Sequence, residues 1–383
     1  MITNTTEVAI VGAGAAGITV AMTLHDRGAD FEIFDDHRRV GDSWRERYRS
    51  LRLFTPRRLV ALPGLQPDLG YFAYPTGFQF ADYLEDYVEQ RRVPVQLATR
   101  VDRLTRIADS GFRLELSTGR QVLARRVIVT AGAHRIPVTP GFATQLDPSI
   151  RQLHSLQYAG PEQLAAGPVL VVGAGNSGTD LALEAKANGH PVVLAGRQLG
   201  EVPFPVDSPV ANLLAGMVIR RLRRLTIDTE KGRAAKAAQL GHGLMLIRNK
   251  ERDLLRAGVV RVGRVEGVRD GKPIVDGQAF EAATVVWCTG SRPDVDWIDI
   301  DGVVAPDGHP IEHRGIADAE PRLGFVGLDF QYAAASSTLT GFAQDACYVV
   351  NRLLEPGMAA AERLAAEPLS HHVGLARGNR APT

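Results

Sequence analysis

Two stretches of this chain repeat one pattern of apolar and polar positions. "EVAIV" (7–11) and "PVLVV" (168–172) are short, nearly unbroken apolar runs, the pattern of a strand buried on both faces. Each breaks at once into a glycine-rich turn, "GAGAAG" (12–17) or "GAGNSG" (173–178), and then takes up helical spacing. A second apolar run follows each helix, "FEIF" (31–34) in the first case and "PVVLA" (191–195) in the second. Strand, glycine turn, helix and strand in this order make a dinucleotide-binding unit. Two more buried-type strands lie within 124–142 and 283–298, each ending in a short turn, Thr130-Ala131-Gly132 and Cys288-Thr289-Gly290. Both read as the strand that returns to a dinucleotide domain and passes near its cofactor, so Ala131, Gly132, Thr289 and Gly290 join the candidate contacts. "PVQLATRVDRLTR" (94–106) and "GFRLELSTGRQVLA" (111–124) suggest a small antiparallel sheet. Val101 stands there at a position that faces the adenine in such folds.

The glycine spacing has a physical reading. In the first turn Gly12 permits the tight reversal, Gly14 lets backbone approach a pyrophosphate, and Gly17 allows close helix–strand packing. Ala15 and Ala16 start the helix, whose amides and dipole favour an anion. Asp35 ends the next strand, where a carboxylate accepts hydrogen bonds from a ribose diol, with Asp36 beside it. In the second turn Gly173, Gly175 and Gly178 take the same parts, with Asn176 and Ser177 as candidate contacts near a pyrophosphate. No acid ends the strand after it; Arg197 does. An arginine offers a forked, charge-assisted contact to a 2′-phosphate, so this turn is expected to prefer NADPH to NADH. The segment 38–48, which resembles a fingerprint of FAD proteins, implies that the first turn holds a resident flavin dinucleotide; the second then holds a nicotinamide that reduces it, the two rings meeting within about 3–3.5 Å for hydride transfer.

Composition narrows the class. At 383 residues the chain suits two domains, and its formal net charge of +1 gives no overall field for nucleic acid. Its two cysteines, Cys288 and Cys347, lie far apart in sequence, which excludes a disulfide framework and a CxxC centre. No apolar run approaches the roughly 18 residues of a spanning helix, and the N-terminal segment carries no basic leader; a cytoplasmic protein is expected. The His371-His372 pair has no partners at ligand spacing, so no metal is expected.

The expected fold is α/β, with two Rossmann-type domains arranged as in glutathione reductase. A first part of the FAD domain spans 1–155, the NADPH domain is inserted at 156–284, the FAD domain resumes at 285–368, and 369–383 is a disordered tail. Within the insert, 209–257 is a helical excursion. Leu213, Leu214, Met217, Val218, Leu222 and Leu225 form a broad apolar side there, beside the cluster Arg220, Arg221, Arg223 and Arg224. Such a basic amphipathic helix suits an anionic membrane or the cap of a substrate entrance; packing on the NADPH domain with solvated arginines is the commoner reading. Near the C-terminal end, 332–354 reads as a small-residue turn into a helix whose first amides, near Leu339 and Thr340, face negative charge on a reduced flavin.

Several segments together carry a resemblance. "GDSWRERY" (41–48), with Ser43, Trp44 and Arg45, resembles the second fingerprint of FAD proteins of the glutathione-reductase-like superfamily, the tryptophan lying against a flat ring system. With "GAGAAG", "YPTGFQFADYLEDYV", "LHSLQY", "VVGAGNSG" and "CTGSRP", it makes nearly the whole chain similar to class B flavin-dependent monooxygenases, chiefly the compact bacterial members and the plant auxin-synthesising ones. The resemblance implies tightly bound FAD, hydride from NADPH, and oxygen held as a flavin C4a-hydroperoxide. One oxygen atom then passes to a small organic substrate: a soft sulfur or nitrogen nucleophile, or in some members a ketone. It also implies a homodimer. The family pattern Phe-x-Gly-x-x-x-His-x-x-x-aromatic is kept here at His154 and Tyr158, while Pro148 and Ile150 replace the Phe and Gly. His154 is thus expected to link domains, near the flavin, rather than do acid–base work. Phe54 occupies the position of an asparagine that stands near the flavin in many members. The alternative is a flavoprotein reductase that passes electrons from NAD(P)H to an acceptor without inserting oxygen.

Overall fold

The computed structural model describes residues 3–242 and 244–355; the expectations for the tail at 369–383 and for His371-His372 lie outside them. Two sheets carry the two glycine turns. In the larger, Thr3–Val11 runs parallel to Phe31–Phe34 on one side and to Gln121–Val129 on the other, in register from Thr3↔Gln121 to Val11↔Val129. Beyond Gln121–Val129 the sheet turns antiparallel through Gly111–Leu116 and Val101–Ile107. The small antiparallel sheet expected at 94–124 is therefore an extension of the main sheet. The nine-residue strand Gln121–Val129 explains it: its first half pairs with Gly111–Leu116 and its second half with Leu323–Phe325, on the same edge.

The smaller sheet is parallel, in the order Val260–Val262, Val192–Ala195, Val169–Val172, Thr284–Trp287, Arg151–His154. Because Arg151–His154 and Thr284–Trp287 pair here, this sheet takes strands from before 156 and runs past 284. Its central strands are unbroken apolar runs because both faces are covered, as in all-parallel sheets. The chain passes between the sheets through two segments that pair with each other, Ile136–Pro137 and Ser291–Arg292.

The first-turn helix, Ala15–His25, packs against Phe342–Leu354, burying Val20, Leu24, Val349, Val350 and Leu353 together. The second-turn helix, Asn176–Ala187, buries Leu181, Ala182 and Ala185 on Val169–Val172 and the short helix Glu251–Ala257. The excursion is helical at Pro209–Arg224 and Glu230–His242. Among the described residues no helix is long and apolar enough to cross a membrane.

Candidate functional site

Both glycine turns open into one continuous cleft of about 1340 Å³. Backbone sterics build each turn. Gly12 and Gly173 sit at φ +104° and +108°, where side chains are strained, and a Cβ there would meet Thr130 O at 2.7 Å or Cys288 O at 2.2 Å. Gly17 and Gly178 press each helix onto its turn: a Cβ would lie 1.9 Å from Gly12 O and 1.8 Å from Gly173 O. At Gly14 and Gly175, the N-caps of the two helices, a Cβ would meet nothing within 4 Å and no side chain caps the first turn. Each helix thus starts with uncapped amides beside open space in the cleft, a cradle whose donors and dipole fit a pyrophosphate.

The cleft is lined by most of the residues singled out in the sequence: Gly12, Gly14, Ala15, Ala16, Asp35, Asp36, Ser43, Trp44, Val101, Ala131, Gly132, Gly173, Gly175, Asn176, Ser177, Gly178, Arg197, Thr289 and Gly290. Trp44 is fixed there by an edge-on contact with Phe80, ring centres 5.1 Å apart. The two side-chain oxygen and nitrogen atoms of Asn176 are spent elsewhere, donating to Met245 O (3.0 Å) and accepting from Ile247 N (2.9 Å). They pin 245–247 and leave the backbone of Asn176 to face the turn.

Six candidates do not line the cleft. Gly17 acts from behind it, through the close packing just described. Arg45 turns away to Asp42, Asp82 and Glu85, and donates to Val40 O (2.8 Å); four acceptors on one side outcompete the cleft. Phe54 lies under the Arg248 guanidinium, 5.3 Å from its ring centre, while Arg248 also donates to Arg52 O and Leu53 O. His154 is 3% exposed, accepts at Nδ1 from Leu156 N (3.1 Å) and donates from Nε2 to Gly290 O (3.0 Å). Burial lowers its pKa, and with both ring nitrogens engaged it is a neutral structural link. At the turn before Phe342–Leu354 the residues facing the cleft are Ser337, Thr338 and Phe342, in place of Leu339 and Thr340. Gly341 N closes the turn on Thr338 O (2.8 Å), Leu339 packs into the core beneath, and Arg223 holds Thr340 O.

The cleft also holds residues that pattern reading missed. His37 lies between the two acids at the end of Phe31–Phe34, with Nδ1 2.8 Å from Asp35 and 3.1 Å from Asp36. The hydrogen bonds to Asp35 and then Asp36 push its pKa up to about 10. A pKa that high keeps the ring protonated at neutral pH; its Nε2 faces Glu46 (3.4 Å) and also lies beside Arg135 Nη1 (3.2 Å). Asp36, held low by His37, also pairs with Arg135. Asp35 accepts from Ala13 N (2.5 Å), which ties the acid to the glycine turn. Asp35, Asp36 and His37 are close enough together to hold a cation, but a protonated histidine already supplies the charge.

Tyr48 crosses between the sheets, donating to Asp180 Oδ2 (2.8 Å) while Asn249 donates to Oδ1 (2.6 Å). Burial raises the Tyr48 pKa, so the phenol keeps the proton it donates; burial also raises the Asp180 pKa, against the two donors that favour its carboxylate. Arg264 lines the cleft as Arg197 does. It had a legible signal: the neighbouring parallel strands Val192–Ala195 and Val260–Val262 both end in Gly-Arg, and Ala195 pairs with Val262, which sets the two arginines side by side.

Comparison with known proteins agrees with this geometry. The family model of pyridine nucleotide-disulphide oxidoreductases matches residues 9–237. An oxidoreductase described as CzcO-like from Geobacillus kaustophilus is 32% identical over 351 residues, 91% of this chain and 98% of that one. A probable indole-3-pyruvate monooxygenase of Arabidopsis thaliana, YUCCA9, is 26% identical over 334 residues, 79% of each. The solved flavin-containing monooxygenase from Stenotrophomonas maltophilia superposes with a TM-score of 0.70 at 24% identity, over 94% of this chain and 99% of that one. Two glycine turns on one cleft, parallel strands under each, and these matches agree: the chain belongs to the pyridine nucleotide-disulphide oxidoreductase family and is an oxidoreductase related to the flavin-dependent monooxygenases, as its motifs led us to expect.

Proposed function

We propose that the protein is an FAD- and NADPH-dependent monooxygenase that inserts one oxygen atom from O2 into a small organic substrate, a soft sulfur or nitrogen nucleophile or a ketone. The observation that carries this reading is the single cleft into which both cradles open. In it the Gly12–Gly17 turn receives the FAD pyrophosphate, Asp35 the ribose, and Trp44 lies along the ring system, with Val101 toward the adenine. The Gly173–Gly178 turn receives the nicotinamide dinucleotide. Arg197 and Arg264 at adjoining strand ends favour a 2′-phosphate, which supports NADPH over NADH.

When bound, the cofactors supply hydride transfer and oxygen activation. The chain binds, orients and shields them. Tyr48 and Asp180 hold the two halves of the cleft at a fixed distance, and His154, neutral and doubly engaged, braces Gly290 without exchanging a proton. Burial pushes the Cys288 thiol up to about 12, so it stays protonated and inert. Cys347 sits exposed on Phe342–Leu354. A dithiol reductase needs two cysteines that pair, and both of these are free, one beside the cleft and one exposed on the helix.

The test is anaerobic mixing with NADPH or NADH, followed by ¹⁸O2 with a dialkyl sulfide, a tertiary amine and a cyclic ketone. Flavin bleaching, faster with NADPH, and ¹⁸O in one product are expected. Bleaching with electrons passing only to an added quinone, or to O2 with release of peroxide, and no label in any organic product, would favour the reductase reading. Bleaching by neither nucleotide would sink the two-cofactor reading.

A further inference from the structure

The outward side of the helix Pro209–Arg224 takes no part in the cleft. Ala211 and Asn212 face inward, and Arg223 is committed to Thr340 O. The opposite stripe is bare: Leu213 is 81% exposed and Met217 68%. Arg220 and Arg224 continue that stripe at i+7 and i+11 from Leu213, with Arg221 beside them, all exposed. The stripe therefore changes along its length from apolar to cationic.

A second element extends its apolar end. Tyr71 and Phe72, each 57% exposed, pack edge to face with ring centres 4.9 Å apart. Arg58 stands 5.9 Å from both rings and donates to Asn212 O, and Tyr74 Oη donates to Val206 O (2.6 Å). The aromatic pair is thereby fastened beside the start of the helix. Two aromatic and two aliphatic side chains are held out to solvent together, a costly arrangement unless something covers them.

We propose that this face docks on an anionic lipid bilayer, with Tyr71, Phe72, Leu213 and Met217 entering the headgroup region and Arg220, Arg221 and Arg224 engaging lipid phosphates. Charge selects the occupant. Between Asp207 and Asp228 the chain carries four arginines and no acid, so a second copy would bring cations against cations. A bilayer offers phosphate to the arginines and an apolar interior to the side chains ahead of them. Aromatic rings at such a surface sit at the headgroup level. The chain would lie on the membrane, not span it.

Co-sedimentation of the full chain with vesicles of phosphatidylcholine alone, or mixed with phosphatidylglycerol, tests this. Pelleting with the mixed vesicles only, weakening with salt, is expected. Leu213→Ser with Met217→Ser should abolish it, and Arg220→Ala with Arg224→Ala should weaken it about fivefold per arginine. Both substituted pairs are at exposed positions, and unchanged circular dichroism and melting would show that the fold stands. Wild-type protein left in the supernatant with both vesicles, or variants that pellet as wild type does, would overturn the proposal. So would a dimer seen by sedimentation velocity without lipid and lost in the Leu213→Ser, Met217→Ser variant, which would assign the face to a second copy.

Discussion

The two glycine turns share a backbone plan and differ in what lies at the end of the following strand. Their first glycines have nearly the same φ, and their third glycines approach the turn carbonyl to within 0.1 Å of the same distance, 1.9 against 1.8 Å for a notional Cβ. Beyond that the environments part. The first turn ends in a closed network, Asp35 tied to Ala13 and His37, and Asp36 to His37 and Arg135. The second ends at Arg197 and Arg264, both exposed at the rim. A cradle whose acids are already held in a network loses little freedom on binding and suits a resident group, whereas an exposed cationic rim suits a ligand that comes and goes. The same fold unit is thus specialised by a few residues at one strand end.

The third glycines give the largest break in that comparison. Gly17→Ala and Gly178→Ala each force a methyl onto a backbone carbonyl, an overpacking cost of about 1–3 kcal/mol. Gly17→Ala should yield protein that purifies colourless. Gly178→Ala should keep its flavin and lose reduction by NADPH in stopped-flow mixing. Equal loss of flavin in both variants would show that the turns do not divide the labour.

Charge at the strand ends gives a smaller and more specific break. Asp35→Asn removes a charge-assisted acceptor worth roughly 2 kcal/mol, about thirtyfold in flavin affinity. It should leave the ratio of KM values for NADPH and NADH unchanged. Arg197→Ala should raise KM for NADPH roughly tenfold and leave that for NADH in place. A variant in which both nucleotides respond alike would end the 2′-phosphate assignment for Arg197.

These contrasts also mark what was legible beforehand. The places of the glycines, Asp35, Trp44 and Arg197 at the cleft were readable because they follow from local spacing. Arg45 and Phe54 were not, because their directions are set by partners remote in sequence, Asp82 and Glu85 for one and Arg248 for the other. Leu339 and Thr340 missed by one or two residues, since a turn's facing depends on which hydrogen bond closes it, here Gly341 N on Thr338 O. The antiparallel strands at 101–124 were seen locally, but only the register of Gln121–Val129 joins them to the main sheet. Tyr48 carried no signal at all: its partner Asp180 lies across the cleft in another sheet's helix.

The subtlest difference between the two turns is a proton. His37 at the first turn has a folded pKa of about 10 against an ordinary value of 6.5, raised by Asp35 and then Asp36. A group whose pKa rises on folding stabilises the native state fully below its unfolded pKa, and that contribution is lost as pH climbs through the folded one. Wild-type protein should therefore lose a stabilising contribution steadily between pH 6.5 and 10, the slope flattening as pH passes the folded pKa. His37→Gln should lack that slope, so the two melting curves converge as pH approaches 10. The second turn ends its strand in guanidinium groups, which do not titrate in this range, so an Arg197→Ala curve should run parallel to wild type over the same range. Parallel curves for His37→Gln as well would mean that the ring is neutral in the folded chain, and that Asp35 meets the ribose without a cation behind it.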